Sequence, residues 1–187
     1  MKVLSATFFD AHLLAFLHRM VYQWYATYKS VMRYFVSMEI EQLLMREKKV
    51  KIENITIPNS SELQLDMEGQ QLFIFPDNWT RYTTLPEKYL QNTAFIHLVS
   101  TDTQNRKDIH RRTIKKSMTG VITATHSEVF QPYKHLKKIF LIDPHKWYYH
   151  NQQDPRYSLV SVVQRMGEEY GAEVKEIKGE EVGKLFH

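Results

Sequence analysis

The sequence predicts an α+β protein: a long N-terminal amphipathic helix followed by a mixed β-sheet with one or two short helices. Three observations predict it. Residues 8 to 49 contain neither glycine nor proline, which over that length favours helix. After Lys51 the apolar spacing shifts from a helical period toward alternation. From there on, short apolar runs that stop at Pro, Gly or Asp recur to the C-terminus.

The helix carries a heptad seam. Leu14, Leu17, Val21, Trp24, Tyr28, Val31, Phe35 and Met38 follow one another in alternating steps of three and four, and Met45 continues the series after a polar Gln42. Leu13, Phe16, Met20, Tyr25 and Met32 widen the apolar stripe, so this face must be covered. Forty-odd helical residues would span roughly 60 Å, whereas a globule of this chain length is about 40 Å across. Either the helix breaks, with Val36-Ser37 the expected place, or another protein covers the overhang. The eight seam residues are therefore the expected partner-binding surface. The chain divides into a partner-docking helix over 1–50 and a small α+β domain over 51–187.

The later elements follow in order. Ile52, Ile55 and Ile57 end at Pro58, and Leu63 and Leu65 alternate with polar residues. Met67-Glu-Gly-Gln70 reads as a hairpin turn leading into the strand Leu72-Phe-Ile-Phe75. Pro86 to Gln91 is expected as a short helix with proline in its first turn. Residues 94–99 read as a buried strand, and the polar stretch 100–117 as an exposed loop or short helix. Strands are expected at 120–125 and 138–143, then a helix capped by Asp154, opened by Pro155 and closed by Gly171. Glu173 to Lys178 alternates as a half-exposed strand before a final turn or helix after Gly179.

Composition excludes several chemistries. The chain has no cysteine, which rules out disulfides, thiolate catalysis, iron–sulfur clusters and cysteine-ligated zinc. No stretch of about 20 residues is free of charge, so no membrane-spanning helix is expected. Three glycosylation tripeptides, at Asn54, Asn59 and Asn78, are read as accidental, and an intracellular setting is expected. Between Asp10 and Glu39 there is no acidic residue while Arg19, Lys29 and Arg33 are present, a pattern shared with organelle-targeting segments, so a mitochondrial setting is one version of that expectation. Trp24, Tyr25 and Tyr28 allow at most a peripheral membrane contact, and heptad regularity favours a protein seam instead.

Charge supplies the strongest functional signal. Arg106, Lys107, Arg111, Arg112, Lys115, Lys116, Lys134, Lys137, Lys138 and Lys146 face only Asp108, Glu128 and Asp143 over that stretch, a local charge of +7 in a chain of net +4. Phe130, Tyr133, Trp147, Tyr148 and Tyr149 and several histidines are interleaved with them. Cations neutralise phosphates and aromatic faces stack on unpaired bases, so these cations and Trp147 are the expected contacts to RNA or another polyanion. The bland alternative is a solvated basic face, and no RNA-binding signature is present.

Catalytic signals are weaker. Asp77, Asp102 and Asp143 each follow a predicted strand; in a parallel sheet they would share one edge, where a divalent metal and phosphoryl chemistry are often housed. Aspartate also simply favours such turns. The histidine spacing matches no zinc signature, and there is no glycine-rich phosphate loop, so no cofactor and no metal is expected. The leading expectation is a non-catalytic subunit of a large assembly, a ribosome-type particle for instance, contacting RNA through residues 106–150 and protein through the helix. A protein-only accessory subunit of a multiprotein complex is the alternative, and a metal-dependent phosphodiesterase or nuclease the third.

Overall fold

The computed structural model describes residues 10–24, 26–35, 68–92, 95–150 and 157–186. They form a five-stranded sheet with helices on both faces. The strands are β1 (Gln70–Phe75), β2 (Phe95–His97), β3 (Gly120–Thr125), β4 (Leu136–Ile142) and β5 (Glu173–Ile177), in the order β2-β3-β1-β4-β5. Every pairing is parallel, which corrects the mixed sheet expected from the sequence. The architecture is α/β. Parallel sheets are covered on both faces, so their inner strands read as continuous apolar runs. Leu72-Phe-Ile-Phe75 and Ile139-Phe-Leu-Ile142 are such runs, and every residue of β1 and β3 is buried.

The hairpin expected before β1 is also corrected. β1 is flanked by β3 on one side and β4 on the other, so both its edges are occupied and no preceding strand can pair with it. Residues 36–67, with the seam residue Met38 and the expected break at 36–37, lie outside the described residues.

One face of the sheet is covered by α1 (Ala11–Gln23), α2 (Tyr28–Phe35), α5 (Gln104–Lys116) and α6 (Leu159–Tyr170). Leu13, Phe16, Met20, Val31 and Phe35 share one core there with Leu72, Ile74, Ile122, Ile139 and Val163. The other face packs α3 (Asn78–Thr84), α4 (Glu87–Leu90), α7 (Gly179–Val182) and a C-terminal 3₁₀ turn (Gly183–Phe186). Its centre is aromatic: Phe73 stacks on Phe140 with ring centres 4.4 Å apart, and Phe186 contacts Phe73, Tyr89 and Phe95.

The long N-terminal helix is corrected too, for it breaks earlier than the expected 36–37. The chain leaves helical geometry at Trp24 and re-enters it at Tyr28, so α1 and α2 form a bent pair. No glycine or proline stands at the break, and side-chain contacts flank it. Trp24 stacks on Tyr157 at 4.7 Å, and the Thr27 hydroxyl accepts the Ser30 N–H at 3.2 Å, capping α2. Phe16 then meets Phe35 edge-on across the pair. Asp10 caps α1 through the Leu13 N–H at 2.8 Å.

Two further elements differ in detail. The polar stretch after β2 is a full helix, α5, which buries Asp108, Arg111 and Ile114. Helix α6 starts at Leu159 behind Ser158, later than the Asp154-Pro155 start expected, and residues 151–156 lie outside the described set. Its end agrees with expectation: Gly171 adopts φ 62°, the left-handed cap that glycine supplies without strain.

A candidate polyanion-binding edge

The ten cations that are neighbours in sequence are divided by the fold between the two ends of the sheet. In a parallel sheet each helix returns the chain from the carboxyl edge to the amino edge, so α5 runs down the sheet. Its first turns, with Arg106 and Lys107, lie at the carboxyl edge, and Lys115 and Lys116 lie at the amino edge. A six-residue strand separates the two edges by roughly 20 Å.

At the carboxyl edge most of the charge is engaged. Arg106 lies 3.5 Å from Asp102, and the Lys107 ammonium donates to the Ser100 carbonyl at 2.7 Å. Arg111 is buried against Asp108 at 3.3 Å, a structural ion pair rather than a surface contact. Arg112, midway along α5, is half-buried. Lys146 and Trp147 are exposed there, beyond the end of β4.

The amino edge gathers the remaining lysines. Gln70, buried at the first position of β1, organises it: its amide nitrogen donates to the carbonyls of Ile114 (2.6 Å) and Ser117 (3.2 Å), and its amide oxygen accepts the N–H groups of Lys134 (2.9 Å) and His135 (3.0 Å). One side chain thereby clamps the last turn of α5 to the turn that enters β4. Lys115 and Lys116 come from the first segment, Lys134, Lys137 and Lys138 from the second. Lys116, Lys134 and Lys137 are exposed, whereas Lys115 and Lys138 are half-buried.

Lys137 is aimed by a register shift. Gln70 pairs with Leu136 but Gln71 with Lys138, so Lys137 is the extra residue of a bulge and turns out of the ladder. Its stem crosses Gly69, where an added Cβ would stand 2.3 Å from Lys137 Cγ and 2.8 Å from the His135 carbonyl oxygen. Glycine is needed there for this close approach. Gln70, Gly69 and the bulge carried no signal in the charge pattern; Gly69 read only as a turn residue.

The three aspartates do share the carboxyl edge, because the sheet is parallel, but each has local partners. Asp77 caps α3 by accepting the Thr80 N–H (2.7 Å) and hydroxyl (3.1 Å). Asp143 adopts φ 49°, a left-handed conformation that aspartate tolerates better than most residues, and accepts the Gly179 N–H at 3.0 Å. Asp102 lies beside Arg106 and, at 3.8 Å, His110. Among the described residues no three His, Asp or Glu side chains are placed to hold a metal ion. Between Asp77 and Asp143, the buried Tyr149 hydroxyl reaches the carbonyls of Ile74 (2.9 Å) and Ile142 (2.6 Å), tying β1 to β4. Burial first, then the two aspartates, pushes this phenol far above its usual range and keeps it a donor.

Three half-buried histidines, His97, His110 and His126, lie toward the carboxyl edge. His97 contacts the Tyr89 carbonyl through Nε2 (3.1 Å) and the Thr123 hydroxyl through Nδ1 (2.8 Å). A carbonyl only accepts, so Nε2 carries the proton and Nδ1 accepts from Thr123. Burial, helped by Arg81, His110 and Arg106 nearby, lowers its pKa to about 4, against the Tyr89 bond, which favours the charged ring. Burial likewise lowers His110 and His126, each opposed by one carboxylate, Asp102 and Glu128 respectively. Beside His110, Asp102, Lys107, Arg111, Glu128 and Gln131 line a cavity of about 20 Å³, room for one water.

The expected partner-binding seam is divided as well. Leu17, Val31 and Phe35 are buried in the core of the chain itself, and Val21 and Trp24 are half-buried against it. Leu14 and Tyr28 are about half exposed, at 49% and 47%. No helix among the described residues is long and apolar enough to cross a membrane. Compared with models of known families and with curated proteins, the chain matches none.

Proposed function

We propose that the protein is a non-catalytic subunit that contacts RNA, or another phosphate-bearing polyanion, through the amino edge of its sheet. The observation that carries this reading is the convergence of Lys116, Lys134 and Lys137 from two segments that Gln70 holds together. Of the described acidic groups at this edge Glu68 and Glu173 are the ones adjacent in chain or register. Part of the lysine placement also serves the fold, since Lys115 and Lys116 sit in the last turn of α5, where cations offset the helix dipole. That role accounts for neither Lys134 nor Lys137. Arg106, Lys107 and Arg111 are engaged elsewhere, so this proposal assigns them no contact.

The test is binding of a labelled single-stranded RNA across a salt series. Affinity is expected to fall steeply with salt, and the triple reversal Lys116→Glu, Lys134→Glu, Lys137→Glu should flatten the log–log slope by about two. Lys146→Glu, at the opposite edge, should leave binding nearly unchanged. Salt-independent affinity, or an equal loss from Lys146→Glu, would refute the assignment.

A second reading, attachment to another protein, rests on Leu14, Tyr22 and Tyr28, exposed on the outside of α1 and α2 at 49%, 82% and 47%. An accessory subunit of a multiprotein complex would use this face. Polar substitutions at the three positions should then abolish co-purification of a partner while sparing RNA binding.

A further inference from the structure

We infer that the chain forms a homodimer by antiparallel pairing of β5 with the β5 of a second copy. β5 is an edge of the sheet, paired on one side only, with Glu173, Lys175 and Glu176 exposed. The carbonyl of Ile177 points toward β4, accepting the Asp143 N–H at 2.9 Å. Main-chain direction alternates along a strand, so the N–H and C=O groups of Val174 and Glu176 face outward, without a strand to receive them among the described residues. An edge of this kind is a template for a further strand.

The side chains select the occupant. A closed pair of identical strands is related by a two-fold axis perpendicular to the sheet, so the strands run antiparallel and one residue faces its own counterpart. Centring on Lys175 would set lysine against lysine, and centring on Glu176 would set glutamate against glutamate. Centring on Val174 sets Val174 against Val174 and, on either side, Glu173 against Lys175. Glu173 and Lys175 already lie 3.2 Å apart on one face of β5. The dimer would therefore present four charges of alternating sign on that face.

Main-chain bonding agrees with the same register. The two Val174 residues would exchange both N–H···O=C bonds. Each Glu176 N–H would reach the Ala172 carbonyl of the other copy, while the Ala172 N–H stays with the Gly167 carbonyl at 2.9 Å. A shallow groove floored by Gly167, Gly171, Ala172 and Val174 and rimmed by Gln164, Glu168 and Glu173 runs beside the edge, and the second Val174 side chain would lie over its floor. Charged edge strands usually discourage pairing. Here the alternation repels in the neighbouring closed registers and attracts in one.

So small a contact implies reversible association in the micromolar range. Analytical ultracentrifugation of the full chain should show a mass rising from 22.4 kDa toward twice that value with concentration. Glu173→Lys alone and Lys175→Glu alone should each weaken the dimer about tenfold or more. Mixing those two variants should restore it, because lysines of one copy then face glutamates of the other. Circular dichroism would verify that both variants are folded. A monomer at every concentration, or a mixture that stays monomeric, would overturn the inference.

Discussion

Gly69 and Lys137 interlock: the space a Cβ would need at Gly69 is filled by the stem of Lys137, 2.3 Å away at Cγ. The lysine can leave that position only by swinging off the edge, and the His135 carbonyl behind it, at 2.8 Å, is backbone and cannot swing. Gly69→Ala is therefore expected to destabilise the fold by about 1–3 kcal/mol and to weaken the proposed RNA binding beyond what Lys137→Ala does. Urea denaturation and the salt-series binding assay would measure the two effects. An unchanged midpoint would show that the edge relaxes freely.

Gln70→Leu removes both amide partners at once. The Lys134 and His135 N–H groups and the Ile114 and Ser117 carbonyls each lose this bond. With one to three kcal/mol for each buried group left unpaired, and water reaching some of them, a loss of about 2–4 kcal/mol is expected. Amide exchange should accelerate first at Lys134 and His135. Exchange that stays slow at both would contradict the clamp.

The histidines predict an acid-sensitive fold. His97, His110 and His126 all have folded pKa values below the ordinary 6.5. Between those values and 6.5 the unfolded chain binds more protons than the folded one, so stability rises with pH there and is lost on acidification. For His97 the window runs from 6.5 down to about 4. The thermal midpoint should fall through that range. His97→Asn, which can keep a donor and an acceptor, should flatten the fall; a parallel curve would show that His97 is not the group responsible.

Tyr149→Phe keeps the buried ring and deletes the hydroxyl that joins the Ile74 and Ile142 carbonyls. A cost of about 1–2 kcal/mol is expected, read as a lower urea midpoint. The proposed RNA binding should not change, because Tyr149 is at the carboxyl edge and Lys116, Lys134 and Lys137 are at the other. A coupled loss of binding would mean that the two edges communicate.

How much of this was legible depended on what each element buries. β1 and β4 announced themselves as apolar runs, and Gly171 as a helix end, because hydrophobic burial and a left-handed cap leave marks on the sequence. Helix α5 did so only in part, as one of two readings of an exposed stretch, since the face it turns inward includes Asp108 and Arg111, a pair that reads as surface. Without that helix the β-α-β alternation, and with it the parallel sheet, was hidden. The break at Trp24 was hidden for the opposite reason: the ring that Trp24 stacks on there, Tyr157, lies more than a hundred residues downstream. The Thr27–Ser30 cap was the local trace of it. Local charge was visible, but its division between the two sheet edges was a property of topology alone.

The position of β1 has a kinetic consequence. Its neighbours begin 50 and 66 residues later, as Gln70 pairs with Gly120 and Leu136. No local hairpin among the described strands can nucleate the sheet, so loop closure must precede any reward from pairing, and folding should be slow for this chain length. During synthesis Leu72-Phe-Ile-Phe75 emerges well before either companion exists. A fully buried apolar strand is thus left waiting for its partners, and a nascent chain arrested before Gly120 would be its most aggregation-prone form.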